Sequence, residues 1–397
     1  MLGGNLYFMK GCVSYHHLNS DILSTKMKIT RLEAIPVRVP LKTDRIAITA
    51  HGRHAVSEYV ILKMHTDEGL IGLGEATVQA LWSGETAQTC VGLLQNQITE
   101  IVVGKDPNDI QKIMADLNHH VKFNPFTKAC IEMALWDILG KARNLPLYEL
   151  LGGKCHDKIP MKMMIGGFEP KQAAKLAETF LDWGVGCLKV KVGLVPKEDL
   201  ERVEAVRAVA GMELPMTIDS NCGWSAPVAR KILPQFERFQ LILIEQPTRS
   251  GDWATMSELR RISPAPLMAD ENVWTLVEAY QAAAHQAVDI ISVYPGKNGG
   301  IMNAKKIAHV AHSADMGCHI GSNLELGIAS AAMLHLAAST PEIESHKYPA
   351  DILGPCYHET DLLAEPLQIG PKFAVVPDKP GLGVELDDQL LKRYRMD

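Results

Sequence analysis

Hydrophobic and polar positions divide the chain into two patterns. Residues 29–39 alternate like a strand that stops at Pro40. Residues 59–65 and 71–75 read as a hairpin around the turn Thr66-Asp67-Glu68-Gly69. Helical spacing follows over 84–101, 107–119 and 125–143. In the last of these, Ile131, Ala134, Leu135, Ile138 and Leu139 recur at helical spacing, and the helix closes near Asn144-Leu145-Pro146. From about residue 159, short apolar runs alternate with helical stretches such as Glu201, Val203, Val206, Ala208 and Val209. The runs lie at 160–165, 187–191, 215–219, 241–245, 267–270, 289–294, 317–320 and, weakly, 343–346. Eight such units are the count of a (β/α)8 barrel. The fold class expected is therefore α/β. A modified (β/α)8 TIM barrel over 156–348 carries the active site, under an α+β capping domain over 27–155. A C-terminal segment over 349–397, with a short helix near 387–395, packs back on the cap and completes it.

Composition keeps the chain in the ordinary globular class. Of its 397 residues, 47% are hydrophobic and 22% charged, which argues against disorder. The formal net charge is -6 and no strongly basic block occurs, so nucleic acid is not an expected partner. No apolar run reaches bilayer length, so no membrane is expected either. The 8 cysteines lack CxxC or Cys/His metal spacing and read as reduced residues of a cytoplasmic protein. Residues 1–26 read as a leader or an artificial extension ahead of Met27-Lys28-Ile29-Thr30. They contain no secretory h-region with a small-residue cleavage site. His16 and His17 fall in that segment and are set aside.

Three acidic residues turn this fold reading into a chemical one. Asp219 ends the run Met216-Thr217-Ile218, Glu245 ends Leu241-Ile242-Leu243-Ile244, and Asp270 ends Leu267-Met268-Ala269. Their gaps, 26 and 25 residues, match one strand, one helix and two short loops. Carboxylates at the C-terminal tips of three consecutive parallel strands aim oxygens at one place, as a hard divalent cation requires. A single acid at a strand end is more often a helix N-cap. Three at near-equal spacing, each behind an apolar run, are not explained that way. One strand earlier, Lys189-Val190-Lys191 places two lysines on one strand face. Mg2+, or Mn2+ in its place, leaves coordination positions for a substrate carboxylate when three acids hold it. The cation offsets the second negative charge of an enediolate, and a lysine of lowered pKa moves the proton of so weak a carbon acid. Two adjacent lysines are expected to lower each other's pKa, because like charge disfavours protonation.

These strings resemble the enolase superfamily in its muconate-lactonizing (mandelate racemase/muconate cycloisomerase-like) branch. They are Leu188-Lys189-Val190-Lys191-Val192-Gly193, Ile218-Asp219-Ser220-Asn221, Ile244-Glu245-Gln246-Pro247 and Ala269-Asp270-Glu271-Asn272. Ala134-Leu135-Trp136-Asp137-Ile138-Leu139-Gly140-Lys141 before the barrel and Pro380-Gly381-Leu382-Gly383 near the end belong to the same set, which spans roughly 27–397. The resemblance implies a cap over a modified barrel, with Mg2+ on Asp219, Glu245 and Asp270. It implies Lys191 as acid/base, and Lys189 as the residue that tunes it and contacts the substrate carboxylate. Glu271 becomes a partner of the lysines, Asn221 a neighbour of the metal shell, and Glu325 a residue near the substrate. Glu325 reads equally well as a charge at a helix N-terminus. A small-molecule carboxylate substrate and a homo-oligomer, dimer or octamer, are also implied.

One position departs from the pattern. Many members of the branch carry a second lysine three residues before a Lys-Asn-Gly-Gly run at the sixth strand. Here the run is Lys297-Asn298-Gly299-Gly300, and Tyr294 stands three residues earlier. Racemases and epimerases need an acid/base on each face of the planar enolate. Tyrosine, with a reference pKa of about 10, replaces that base poorly. Tyr294 is read as a hydroxyl that orients substrate, and Pro295-Gly296 leaves the direction of Lys297 open.

A one-base site suits cycloisomerisation, or syn elimination of water from a hydroxy acid. The cap string Leu81-Trp82-Ser83-Gly84-Glu85-Thr86 resembles a loop of muconate and chloromuconate cycloisomerases, and Ser83 also reads as an N-cap. The loop Ile48-Thr49-Ala50-His51-Gly52-Arg53-His54 brings His51 towards a substrate or into solvent. His319 reads as a core histidine, and no Asp–His dyad supports the mandelate-racemase arrangement. Leu151-Gly152-Gly153-Lys154 lacks phosphate-loop spacing. The expected function is a Mg2+-dependent, enolate-forming cycloisomerase or dehydratase. The alternatives are an amino-acid or dipeptide racemase or epimerase, and a non-catalytic, metal-stabilised structural or binding protein.

Overall fold

The computed structural model describes residues 27–396. The N-terminal segment with His16 and His17 lies outside the described residues. Strand β1 (Ile29–Pro40) pairs antiparallel with β4 (Val56–Thr66), and β4 pairs antiparallel with β5 (Ile71–Val78). The period-two pattern is visible on β1, where Ile35, Val37 and Val39 are buried and Arg38 is exposed. Between β1 and β4 stands a small hairpin, β2 (Ala47–Thr49) and β3 (Gly52–His54).

The helix Pro125–Arg143 packs against β5 at two glycines. A Cβ on Gly72 would lie 2.2 Å from the Ala134 carbonyl oxygen, and one on Gly74 would lie 2.0 Å from that of Cys130. Any larger residue would push the helix off the sheet. Asp137, fully buried in that helix, accepts from Leu73 N and Leu382 N, each at 2.9 Å, and pairs with Lys141 at 2.7 Å. One carboxylate thus ties the sheet, the helix and the C-terminal tail together.

The expected helix over 84–101 is broken. It consists of Ala87–Leu93, a π-helical turn Leu94–Ile98, and Thr99–Val102. The Thr99 hydroxyl donates to the Leu94 carbonyl five residues back at 2.7 Å, which goes with the wider ladder of that turn. Ser83 is not the N-cap. Gly84 closes the short helix Ala80–Ser83 in a left-handed conformation, and Thr86 starts the next helix through a reciprocal capping box with Thr89.

Seven parallel strands curl into the barrel sheet in chain order. They are β7 (Met163–Ile165), β8 (Leu188–Lys191), β9 (Met216–Asp219), β10 (Leu243–Glu245), β11 (Leu267–Ala269), β12 (Ile290–Val293) and β13 (Gly317–Ile320). Two expectations are corrected at the ends of this sheet. The run 160–165 splits: β6 (Lys158–Pro160) pairs antiparallel with β14 (Phe373–Val375) of the tail, and only β7 enters the barrel. The stretch 343–346 is not a strand, since Ile343 makes a single bridge to Cys318. Closure falls instead to residues 349–351. Ala350 bridges Met161 in parallel and accepts from Lys162 N at 3.1 Å, while Asp351 N donates to the Ile320 carbonyl at 2.9 Å. So short a pairing, entered through Pro349, has no apolar run to announce it.

Two cap carboxyl groups reach into the barrel. Glu75 on β5 accepts from Leu326 N at 2.7 Å and Ala329 N at 3.1 Å, at the start of the helix Gly327–Ala338. Glu132 accepts from Met302 N at 3.3 Å, at the start of Ile301–Ser313. The short helix Asp388–Tyr394 follows the tail, and next to it Arg395 bridges Val37 on β1. Among the described residues no helix is long and apolar enough to cross a membrane.

Candidate active site

Parallel register sets the candidate side chains within one pleat of a common height. Lys191, Asp219 and Glu245 are level on β8, β9 and β10. Glu245 is level with Met268, so Asp270, two residues further on, leaves the same face one pleat higher. Lys189 lies one pleat below Lys191, level with Thr217. All five line one cavity at the C-terminal end of the barrel strands. The cap supplies its roof: His51 and His54 from the β2–β3 hairpin, and Gln79 and Trp82 from the segment after β5.

The cavity floor is a lattice of opposite charges. Lys189 Nζ lies 3.0 Å from Asp219 Oδ2, 2.7 Å from Glu245 Oε2 and 2.9 Å from Asp351 Oδ2. Lys191 Nζ donates to Asp219 Oδ2 at 2.6 Å and to Asn221 Oδ1 at 2.7 Å. Lys297 Nζ donates to Asp270 Oδ1 at 2.6 Å, to its carbonyl at 2.9 Å and to the Ser292 carbonyl at 2.7 Å. Burial raises the Asp219 carboxyl, but Lys189 and Lys191 outweigh it and hold the group well below the usual carboxylate range. Burial, joined by the charge of Asp219, pushes Glu245 up to about 8 against the pull of Lys189.

The lysine pair was expected to be mutually depressed. For Lys189 the opposite holds. Burial lowers its pKa, but Asp219, Asp351 and Glu245 surround the ammonium and raise it well above the ordinary value.

The acids are oxygen donors, buried, and set on three neighbouring strands, which suits a hard divalent cation. Glu245, raised by burial and by its neighbour's charge, marks a demand for positive charge that lysine only partly meets; its Oε2 is close to Lys189 yet has no aligned hydrogen bond. Among the described residues no three His, Cys, Asp or Glu side chains stand gathered as a cation cage. Lys189 holds Asp219 and Glu245, and Lys297 holds Asp270. An ion shared by these acids would compete with those ammonium groups for the carboxylates.

The other expected residues divide between the cavity and the layer behind it. Asn221 and His51 line the cavity. Glu271 sits behind them, accepting from Asn221 Nδ2 at 3.0 Å, with His51 Nε2 at 3.4 Å. Tyr294 does not line the cavity, contrary to the reading of its hydroxyl as a substrate-orienting group. It is fully buried, its hydroxyl has no aligned partner, and its ring lies 5.0 Å from Lys297 Nζ. Burial, and then the charges of Asp270, Glu325 and Glu271, hold its pKa well above the usual phenol value. Glu325 also lies behind the wall. It accepts from the Ser322 hydroxyl at 2.6 Å and from Asn323 N at 3.0 Å, and burial pushes it up to about 7. Its neighbours Ser322, Asn323 and Leu324 face the cavity in its stead.

Sequence reasoning missed several residues. Gln246 joins two strand tips: its Oε1 accepts from Asp270 N at 3.0 Å and Asn272 N at 3.2 Å, which fixes the turn that carries Asp270. Asp199 accepts from Gly193 N at 3.0 Å and Trp224 Nε1 at 3.1 Å, while Arg202 donates to the Lys191 carbonyl at 3.2 Å. Together they clamp the end of β8. Asp351 lines the cavity and Lys162 stands beside it at 3.3 Å. For Lys162 the signal was present, a lysine inside an apolar strand run. For Asp351 there was none.

Comparison with known proteins agrees with this architecture. Residues 29–152 match the mandelate racemase / muconate lactonizing enzyme N-terminal domain, and residues 172–390 match the enolase C-terminal domain-like model. The chain is 32% identical to an N-succinyl-L-Arg/Lys racemase of Bacillus cereus, over 92% of this chain and 97% of that protein. It superposes on a 2-chloromuconate cycloisomerase from Rhodococcus opacus with a TM-score of 0.89 at 27% identity, covering 93% of this chain and 100% of that one. A dipeptide epimerase from Enterococcus faecalis, complexed with Mg and the dipeptide L-Leu-L-Tyr, superposes with a TM-score of 0.85 at 28% identity, over 90% and 99% of the two chains. The chain belongs to the mandelate racemase/muconate lactonizing enzyme family of the enolase superfamily.

Proposed function

We propose that this member of the family is a Mg2+-dependent enzyme that forms an enolate of a small carboxylate substrate through a single lysine, Lys191. The reaction is a muconate-type cycloisomerisation or a syn elimination of water. The observation that carries this reading is the asymmetry of the cavity. One side presents Lys189 and Lys191, whereas Tyr294 on the other is sealed behind the wall and Lys297 is spent on Asp270. Asp219, Glu245 and Asp270 would hold the ion, which supplies charge compensation for the enediolate. The dipeptide epimerase that holds Mg supports that choice of metal.

Lys191 stands on the cavity wall, oriented by Asp219 and Asn221. In a lactonising reaction it delivers a proton to the carbon beside the carboxylate once the ring has closed. In an elimination it takes the proton from that carbon and passes it, on the same face, to the departing hydroxide as water. Lys189, kept charged by its carboxylates, faces the substrate carboxylate. His51 and Trp82, 5.6 Å apart between ring centroids, close the cap side against water.

A racemase is the second reading, favoured by the 32% identity to the N-succinyl-L-Arg/Lys racemase. It needs a base on both faces. The test is a screen of muconates, hydroxy acids, acid sugars, dipeptides and N-acylated amino acids in D2O with Mg2+. One-base lactonisation leaves deuterium on the α-carbon in a single configuration, and one-base elimination releases water and leaves recovered substrate unracemised. Deuterium in both stereoisomers of a racemising substrate would overturn it in favour of the racemase.

A further inference from the structure

Three observations meet at Asp351. It belongs to the segment that closes the barrel, it lines the cavity, and it stands outside the three strand-tip acids. Its Oδ2 lies 2.9 Å from Lys189 Nζ, 3.3 Å from Lys162 Nζ and 3.8 Å from His319 Nε2, while its Oδ1 has no partner.

The two lysines on Asp351 differ in freedom. Lys162 is fully buried, and its ammonium also donates to His319 Nε2 at 2.6 Å and to the Pro349 carbonyl at 3.0 Å. Its contacts are complete, and none involves a strand-tip acid. His319 Nε2 also lies 3.1 Å from the Pro349 carbonyl. Burial, and then the charge of Lys162, hold the imidazole pKa well below its usual value, so His319 adds no charge. Lys162 is therefore the fixed counter-ion of Asp351. Lys189 is shared: besides Asp351, its ammonium lies 3.0 Å from Asp219 and 2.7 Å from Glu245. A divalent cation on those two carboxylates would strongly repel an ammonium at such distances in a poorly screened site. Lys189 would then have to leave Asp219 and Glu245 without losing every counter-charge.

We propose that Asp351, held by Lys162, is a positioning residue that receives the ammonium of Lys189 when a divalent cation takes Asp219 and Glu245. The inference rests on the metal reading of those acids. Asp351 thereby keeps Lys189 in the site as a charged group and removes it as a competitor for the ion. Its unpartnered Oδ1 leaves room for a second contact to the same ammonium.

The test is a four-variant cycle read by Mn2+ titration, with free ion followed by electron paramagnetic resonance, on the full chain. The proteins are the wild type, Asp351→Asn, Lys189→Met and the double variant. Without Asp351, Lys189 stays on the acids, so Asp351→Asn is expected to weaken Mn2+ binding about tenfold. In the Lys189→Met background the same substitution should change affinity less than about twofold. Wild-type affinity in Asp351→Asn overturns the proposal, and so does an equal loss with and without Lys189. A wild type that binds no Mn2+ overturns the metal reading itself, which separates the two failures. If circular dichroism shows that Asp351→Asn does not fold, Asp351→Asn/Lys162→Met removes the stranded cation and takes its place in the cycle.

Discussion

From β8 to β11 the barrel repeats itself; from β12 to its closure it does not. In the first region each strand ends in a chemical group, and the next group follows one strand and one helix later. The helices there begin on local signals, with proline in the first turn of Pro196–Ala210 and of Ala226–Ile232. In the second region Tyr294 stands where a base is expected, Lys297 turns back onto Asp270, and the eighth strand position shrinks to residues 349–351. The helices Ile301–Ser313 and Gly327–Ala338 receive carboxyl groups at their starts from Glu132 and Glu75 of the cap. The contrast separates two jobs. The repeated region aims lysines and carboxylates at one cavity, and the irregular region fixes charges and docks the cap.

The sharpest way to break this comparison is to remove the proposed base of the first region. Lys191→Ala should slow α-proton exchange of whichever carboxylate turns over by roughly 10²–10⁴-fold, the usual worth of a positioned acid/base, while Mn2+ still binds. Exchange measured by NMR in D2O decides it, and a rate near wild type removes Lys191 from its role.

In the second region Lys297→Met should cost stability rather than only chemistry. It strands Asp270 in a buried place, and breaking such a pair costs roughly 3–5 kcal/mol. Urea unfolding followed by circular dichroism reads that loss; a change under about 1 kcal/mol would show that the pair contributes nothing beyond its desolvation cost.

A smaller effect tests the cap contact. Burial raises Glu75 to about 8, against the N–H groups of Ala329 and Leu326. The folded state therefore holds this proton more tightly than the unfolded chain. The stabilisation is complete below the unfolded value, about 4.5, and is lost as pH rises through about 8. Each pH unit in that window should cost at most about 1.4 kcal/mol. Glu75→Gln, which cannot ionise, should flatten this part of the slope in thermal melts between pH 5 and 8. An unchanged slope would mean that other groups set it.

The smallest expected effect belongs to Tyr294. As a buried packing residue behind the cavity, its hydroxyl can be removed at little catalytic cost. Tyr294→Phe should leave proton exchange within about threefold of wild type, whereas a base would be missed by about a hundredfold or more. A loss of that size would make the site two-sided and put the racemase ahead of the one-base reading.

Legibility follows the same divide. The strand-tip acids and the Lys-Val-Lys strand were readable because a parallel β/α repeat converts even spacing along the chain into convergence in space. The helix Pro125–Arg143 was readable from its apolar recurrence. The break at Leu94–Ile98 was not, because one threonine hydroxyl bonding five residues back leaves no mark on hydrophobic periodicity. Asp351 escaped for a different reason. Its segment pairs over only a few residues, and its partners Lys162, Lys189 and Ile320 are remote in sequence.

The sequence by itself determined which carboxylates and lysines stand at successive strand tips, the barrel as their carrier, and the missing second lysine at position 294. Only the tertiary structure decided how charge is shared among them. It sealed Tyr294 behind the wall, turned Lys297 onto Asp270, and surrounded Lys189 with three carboxylates. Strand periodicity is local and survives in one dimension. Electrostatic partnership in a buried site depends on distances of about 3 Å between residues far apart in the chain, and these exist only once the barrel has closed.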